Sequence, residues 1–206
     1  MQNILSTYLE VLCQDRRQRP VAEDLIDLVW TGPEAPGIVN RDTSVVVREM
    51  FQGARASVLV AGYAVYQGHV VFKELADRMD QNPDLQVQMY LDIQRPPQDQ
   101  SSPSELVRTF AERFARKEWP GHRIPKVYYD PRSLQSDYTK RASLHAKCVV
   151  VDQEQAFVSS ANFTEAAQTK NIEVGAYLKS PAFARRLAEH FEMLAAVQIL
   201  QPIPMG

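Results

Sequence analysis

Three pairs of polar residues in the second half of the chain have types and spacings suited to phosphate chemistry. The two members of each pair are separated by one residue, and the pairs are His145 and Lys147, Ser160 and Asn162, and Asn171 and Glu173. In a strand, side chains at i and i+2 lie on the same face. Apolar residues bracket the pairs, and burying polar groups is costly unless they are paired or used. The pattern therefore predicts strand ends that converge on one site.

The residue types in these pairs indicate binding of, and attack on, a phosphate group. Lysine, serine and asparagine offer positive charge and hydrogen bonds to phosphate oxygens. The imidazole of His145 can attack phosphorus or transfer a proton near neutral pH. The Glu173 carboxylate can accept the imidazole N–H and so fix the tautomer. Thr164 can cap a short helix through Thr169, whose N-terminal amides would aim toward the same phosphate.

Asp152 is a carboxylate that, unlike Glu173, is predicted to lie away from His145. It lies seven residues after His145, at the end of the predicted strand Leu144–Val151. Strict alternation places its side chain on the face opposite His145. We therefore predict a structural carboxylate and not a general base. Cys148 also faces away from His145 and is expected to pack in the core.

The elements that must position these residues alternate between strand and helix after about residue 53. Apolar runs and polar–apolar alternation predict six strands, at Ser57–Ala61, Gln86–Ile93, Lys126–Tyr129, Leu144–Val151, Ala156–Ser159 and Glu173–Leu178. Helical periodicity predicts two helices between them, at Gln67–Met79 and Glu105–Arg116, and a final helix at Pro181–Leu194. Strands separated by helices predict an α/β layered domain.

The beginning of the chain has a helical pattern instead. One apolar stripe includes Ile4, Tyr8 and Leu12, and a second covers Leu25–Val29. Asp42 or Thr43 can cap a further helix that ends near Gly53. We therefore divide the chain into an N-terminal helical segment packed on the core, residues 1–42, and a catalytic domain, residues 43–206.

Composition and the absence of other motifs exclude several classes of protein. The chain has 206 residues and a formal net charge of −2, so it is not a polycation. Its two cysteines, Cys13 and Cys148, do not form a disulfide framework. The longest apolar runs are too short to cross a bilayer, and no signal peptide is evident. We expect a cytoplasmic protein with no membrane partner, no metal and no cofactor, because nucleotide-binding and zinc-ligand motifs are also missing.

One segment of the chain is basic despite the acidic total. Residues 108–147 contain ten Lys or Arg and four Asp or Glu. Part of this excess can be a solvated helix face, but Lys140 and Arg141 immediately precede the His145 segment and are candidates to contact nucleic acid. The aromatic residues Trp119, Tyr128, Tyr129 and Tyr138 could serve either as anchors of core and loops or as surfaces on which bases stack.

The spacing His145-x-Lys147-x4-Asp152 resembles the HKD motif of the phospholipase D superfamily. Ser160 and Asn162 match the family's downstream GSxN element, with Ser159 at the usual glycine position, and Glu173 matches the acidic residue of its small nuclease members. The resemblance implies a mixed β-sheet with helices on both faces. It also implies a phosphodiesterase in which His145, Lys147 and Glu173 are catalytic, while Lys147, Ser160 and Asn162 bind phosphate.

The same resemblance implies a mechanism and partners. One histidine attacks phosphorus, a second protonates the leaving oxygen, water releases the product, and no metal or other cofactor is required. The chain has a single HxKx4D copy, so a homodimer with the site at its two-fold interface is expected to supply the second histidine.

The substrate we expect is nucleic acid, DNA rather than RNA. The segments RASLHAKCVVVD and SANFTEAAQTKNIEVG are similar to the phospholipase D-like component of the DISARM anti-phage system, so other defence proteins are expected partners. A non-catalytic subunit that binds nucleic acid or assembles a defence complex is one alternative. A phospholipase or phosphatidyl transferase is another.

Overall fold

The computed structural model describes residues 25–205. The strands of this part of the chain are β1 Ile26–Thr31, β2 Arg41–Asp42, β3 Ser57–Gly62, β4 Val65–Tyr66, β5 Gln86–Leu91, β6 Lys126–Tyr129, β7 Cys148–Val151, β8 Gln155–Ser159, β9 Phe163–Thr164, β10 Glu173–Leu178 and β11 Gln201–Pro202. The α-helices are α1 Thr43–Gly53, α2 Gly68–Val71, α3 Lys73–Gln81, α4 Pro103–Arg113, α5 Glu165–Thr169 and α6 Pro181–Ala196. A π-helical turn, Phe114–Glu118, continues α4.

Nine of these strands form one mixed sheet in the spatial order β11-β6-β5-β3-β7-β8-β10-β1-β2. Strands β3, β5 and β6 are parallel to one another, whereas β7, β8, β10 and β1 are successively antiparallel. β4 and β9 pair separately as a short parallel ribbon. The predicted α/β class, a mixed sheet flanked by helices on both faces, is confirmed.

Both faces of the central strands are buried, because residues of opposite parity enter two different cores. Val58 and Val60 of β3 pack with α1, α3 and α4, whereas Leu59 and Ala61 pack on the other face against α6. This is why SVLVA is a continuous apolar run and not an alternating one. α6 contributes Ala184, Ala188 and Phe191 to that second core. No helix within residues 25–205 is both long and apolar enough to cross a membrane.

The helical prediction for Leu25–Val29 is wrong. Residues 26–31 form β1, which pairs with the whole length of β10 and buries Val29 and Thr31. Ladder pairing with β10 decides the conformation here, because β propensity depends on tertiary neighbours more than on local pattern. Residues 41–42 are also a strand, so this part of the predicted N-terminal helical segment belongs to the sheet. The predicted stripe from Ile4 to Leu12 lies outside the described residues.

The helix predicted to begin after Asp42 or Thr43 and to end near Gly53 is confirmed as α1. Asp42 caps α1 by accepting a hydrogen bond from the Val45 amide, as the pattern before Val46 indicated. The strand Lys126–Tyr129 has the predicted bounds. The strand predicted to begin at Leu144, however, begins at Cys148. His145 and Lys147 therefore lie on an irregular segment that leads into β7, and strand alternation does not by itself set their directions.

Candidate active site

The predicted site residues come together at one edge of the sheet. β7 begins at this edge, β8 ends there and β10 begins there, because Cys148 pairs with Val158 and Gly175 pairs with Ser159. The backbone N–H of Ser159 also donates to the carbonyl oxygen of Lys147 at 3.0 Å. Antiparallel pairing thus brings the three polar pairs from separate parts of the sequence to adjacent strand ends.

His145 and Lys147 are in direct contact. The Lys147 Nζ lies 3.2 Å from Nδ1 of His145 and 2.9 Å from the backbone oxygen of the same residue. The imidazole is exposed, whereas Lys147 is only 8% exposed. Burial lowers the pKa of the Lys147 ammonium, and the negative charge of Glu173 acts in the opposite direction. The pair combines a solvent-facing imidazole with a partly desolvated cation.

Ser160, Asn171 and Glu173 form a second group beside this pair. The Ser160 hydroxyl donates to Oε2 of Glu173 at 2.5 Å, and the Asn171 amide donates to Oε1 at 3.2 Å. The backbone N–H of Val174 donates to the Ser160 oxygen. Glu173 was expected to hold the N–H of His145; among the described residues it accepts from Ser160 and Asn171 instead. The reason is that Glu173 starts β10, where the end of β8 presents the Ser160 hydroxyl directly to it.

Asn162 has an unusual environment. Its Oδ1 is buried and has no hydrogen-bond partner among the described residues. A buried unpaired acceptor costs about 1–3 kcal/mol, so such atoms are rare and often belong to functional sites. Two residues later, Thr164 caps α5 by accepting a hydrogen bond from the Ala167 N–H, and the helix ends at Thr169 as predicted.

Asp152 lies at the far end of β7 from His145, in the turn to β8. Its carboxylate accepts hydrogen bonds from three consecutive backbone N–H groups, those of Arg55, Ala56 and Ser57, at 2.7–3.2 Å. Its own N–H donates to the Ser57 carbonyl. Asp152 has a left-handed φ of 54°, a conformation that aspartate tolerates better than most residues. Its contacts join the start of β3 to the end of β7.

Lys140 and Arg141, which precede the His145 segment, differ in how many contacts their side chains make. The Arg141 guanidinium donates to three backbone carbonyls, those of Gln135, Arg95 and Ser136, and so ties two loops together. Lys140 is exposed and makes one loose ion pair with Asp137, at 3.6 Å. Lys140 is therefore the better placed of the two to contact a polyanion.

Tyr63 and Asp92 also border the site, and sequence reasoning did not include them. The Tyr63 ring lies 4.5 Å from the His145 ring, between centroids, and 5.4 Å from the Lys147 Nζ. Asp92 accepts a hydrogen bond from the Leu144 N–H at 2.9 Å, which fixes the segment that carries His145. Both residues directly follow parallel strands, β3 and β5, that end at the same sheet edge. A charged residue directly after the alternating strand QVQMYL was the signal available for Asp92.

The remaining histidines and acids of residues 25–205 do not form a metal site: no group of three or more His, Cys, Asp or Glu side chains there could hold a metal ion. His122 precedes β6, which is parallel to β5, and so lies toward the opposite edge of the sheet. Of the aromatic residues considered for base stacking, Trp119 is structural and Tyr138 is not. Trp119 is buried, and its indole N–H donates to the Arg123 carbonyl, whereas Tyr138 is exposed at the start of a 3-10 turn, Tyr138–Lys140.

Sequence comparison relates this chain to a known family over most of its length. Residues 47–195 match the family model described as "Cardiolipin synthase, PLD-like domain". The chain is also 31% identical over 150 residues to the DISARM protein DrmC of Bacillus paralicheniformis. That match covers 73% of this chain and 55% of DrmC, so the chain spans about half the length of this relative.

Solved structures share the fold at low sequence identity. Nuc from Salmonella typhimurium, a phospholipase D family member, has a TM-score of 0.53 at 18% identity, over 86% of this chain and 96% of Nuc. NucT from Helicobacter pylori has a TM-score of 0.54 at 15% identity, over 78% and 90% of the two chains. Phosphatidylserine synthase from Haemophilus influenzae has a TM-score of 0.55 at 15% identity, over 82% of this chain and 38% of the synthase. With its sheet, its HxKx4D segment and the match to residues 47–195, the chain belongs to the phospholipase D superfamily.

Proposed function

We propose that this protein is a metal-independent phosphodiesterase that cleaves nucleic acid through a phosphohistidine intermediate. The observation that carries the proposal is the contact between the exposed imidazole of His145 and the buried ammonium of Lys147, at 3.2 Å. Ser160 and Glu173 stand beside this pair at the same sheet edge. One edge of the sheet thus holds a nucleophile, a cation, a hydroxyl group and an amide group. This combination suits attack on a phosphodiester.

His145 supplies the nucleophilic nitrogen. Its ring nitrogen forms a bond to phosphorus while the bond from phosphorus to the leaving oxygen breaks, and a second histidine protonates that oxygen. Water then attacks the phosphohistidine, transferring a proton to the second histidine and freeing His145. Asp152 takes no part in these steps, since its carboxylate is bound to backbone amides at the opposite end of β7.

Lys147, Ser160 and Asn162 bind the phosphate oxygens. The Ser160 hydroxyl and the Asn171 amide now donate to the Glu173 carboxylate, and a bound phosphate would compete for the Ser160 donor. A flip of the Asn162 amide puts its NH2 group where the unpaired oxygen now lies, so that the amide can donate to phosphate. These donors stabilise charge that develops on phosphorus oxygens in the transition state.

The second histidine comes from another copy of the chain in this proposal. The chain has four histidines, and only His145 lies in an HxKx4D segment. A two-fold axis beside the sheet edge would bring two copies of His145 to opposite sides of one phosphate. The exposed position of the His145 ring is compatible with such an arrangement.

Nucleic acid is the substrate class that the charge distribution favours. Residues 108–147 contain ten Lys or Arg, and Lys140 from this segment is exposed near the start of the His145 segment. The relative DrmC is described as a DISARM protein, so we further propose a role in anti-phage defence, with DNA as the target and other defence proteins as partners.

Cleavage of single- and double-stranded DNA and RNA by the purified protein tests the proposal, with His145→Ala as the inactive variant. His122→Ala is the matched control, because His122 is also exposed but lies toward the opposite sheet edge. We expect the wild type and His122→Ala to cleave at least one nucleic acid and His145→Ala to lose about 10³-fold or more of that rate. Turnover of phospholipid vesicles with no nucleic-acid cleavage would contradict the substrate class. Binding without cleavage of any phosphodiester would instead indicate a non-catalytic subunit.

A further inference from the structure

A cavity of about 430 Å³ opens directly beside the His145 site. Its walls include the rings of Tyr63, Tyr66 and Phe110, together with Asp92 and Arg113. The proposed chemistry uses none of these side chains. A volume of this size, with aromatic and aliphatic walls and several polar side chains among them, is typical of a site for a small organic group.

The cavity shares two wall residues with the active site. The Tyr63 ring stacks at an angle against the His145 ring, 4.5 Å between centroids. Asp92 holds the backbone N–H of Leu144, the residue immediately before His145. A group bound in the cavity would therefore contact the Tyr63 ring, which itself contacts the His145 ring.

The aromatic walls suit a flat, π-rich ligand. Tyr66 is 53% exposed, and the Arg113 guanidinium carbon lies 5.7 Å from its ring centroid and 5.4 Å from that of Phe110. Nucleic-acid bases stack on tyrosine rings and on arginine planes. A positively charged headgroup would suit the aromatic rings and Asp92, but two arginines, Arg95 and Arg113, line the same cavity and give it a net positive charge.

Asp92 adds a hydrogen-bond acceptor to the cavity wall. The residue is only 6% exposed, and its Oδ1 accepts the Leu144 N–H. Its second oxygen accepts no hydrogen bond from the described residues, although it belongs to a buried carboxyl group. Desolvation raises the pKa of this carboxyl to about 6. Carboxylates in such positions accept hydrogen bonds from exocyclic amino groups of bases, as in contacts to N4 of cytosine.

We propose that this cavity binds an unstacked nucleobase adjacent to the scissile phosphate, and that Asp92 selects bases that carry an exocyclic amino group. Tyr66 supplies the stacking surface, Arg113 closes one side, and Tyr63 separates the base from His145. This inference rests on the proposed action on nucleic acid, and it names the part of the strand that the protein recognises.

Binding to fluorescently labelled single-stranded oligonucleotides tests the proposal, measured by anisotropy in the His145→Ala background so that no cleavage occurs. Intact oligocytidylate is compared with the same strand carrying tetrahydrofuran abasic sites. Tyr66→Ala should weaken binding of the intact strand about tenfold and leave binding of the abasic strand unchanged. Tyr66→Phe retains the ring and should bind like the parent. Tyr138→Ala, which removes an exposed tyrosine outside the cavity, is the matched control.

Base selection is tested with oligothymidylate in the same assay. The parent should bind oligocytidylate about tenfold more tightly, and Asp92→Asn should reduce or reverse this preference because its NH2 group pairs with a carbonyl oxygen. Equal weakening of intact and abasic strands by Tyr66→Ala, or no weakening of either, overturns the proposal. Vesicle binding that requires Tyr66, without discrimination between the two strands, overturns it in favour of a lipid. Since binding alone is measured, a wild type that cleaves nothing would contradict the proposed activity without affecting these outcomes.

Discussion

The Lys147 ammonium lies 3.2 Å from Nδ1 of His145 and also donates to the backbone oxygen of that residue at 2.9 Å. The same Nζ lies 3.4 Å from Nε2, so the ammonium contacts both ring nitrogens of His145 and not one of them alone. The contact with the backbone oxygen holds the lysine close to its own segment, and Tyr63 covers both groups. The two residues therefore form one preorganised unit, with a cation already in place next to the ring that we propose as the nucleophile.

Asp152→Ala should destabilise the protein without removing its chemistry. The substitution leaves the amides of Arg55, Ala56 and Ser57 without their acceptor and puts alanine at a φ of 54°. We expect the free energy of unfolding in urea to fall by about 3 kcal/mol. Asp152→Asn keeps an acceptor oxygen and tolerates the left-handed backbone, so it should lose less.

Turnover per folded molecule separates stability from catalysis in these variants. Asp152→Ala should retain it at a temperature where the variant is folded, whereas His145→Ala should not. A well-folded but inactive Asp152→Ala protein would show that the carboxylate takes part in the reaction.

The stability of the protein should depend on pH through Asp92. Desolvation and the nearby Asp130 raise the pKa of Asp92 to about 6 in the folded state, from an ordinary value of 3.8. Because the raised pKa means that the folded state binds the proton more tightly, this stabilising contribution is complete below about pH 4 and is lost as pH rises to about 6. Its size is on the order of 3 kcal/mol.

Asp92→Asn removes this titration and keeps an oxygen for the Leu144 N–H. Urea unfolding between pH 4 and pH 7 should therefore show a steeper loss of stability in the wild type than in the variant. Parallel curves for the two proteins would contradict the assignment to Asp92.

The architecture was largely predictable because its signals are local. The continuous apolar run of β3, the alternation of β5 and the capping residues of α1 and α5 each follow from a few neighbouring residues. β1 was not predictable from local signals, since its conformation depends on pairing with β10, which lies about 150 residues away in the sequence. The same limit applied to the site: polar spacing identified His145, Lys147 and Ser160, but only the sheet order brings Tyr63 and Asp92 to them.

The proposed mechanism should operate without a divalent cation. Nucleic-acid cleavage should continue at an unchanged rate in excess EDTA and should not increase when magnesium is added, because histidine and lysine supply the nucleophile and the positive charge. Loss of activity in EDTA that is restored by a divalent ion would contradict metal-independent catalysis by the two histidines.

The need for a second histidine predicts a dimer. Light scattering at micromolar concentration should give about twice the 23.4 kDa mass of one chain. Mixing His145→Ala chains with wild-type chains should lower activity more than dilution does, because a mixed dimer has only one copy of His145 at the shared site. A particle of one chain mass that is active alone, at a rate per chain independent of concentration, would contradict the shared site.

The central claim is that His145 becomes covalently bonded to phosphorus, and trapping that bond tests it most directly. The wild type would be mixed with a nucleic-acid substrate labelled with ³²P at its internal phosphates, denatured within milliseconds at alkaline pH, where phosphohistidine survives, and digested for peptide mapping. The account predicts label on the peptide that contains His145, and no label in His145→Ala. Rapid cleavage by the wild type with no label on protein at any quench time, or with label on a peptide lacking His145, would contradict it.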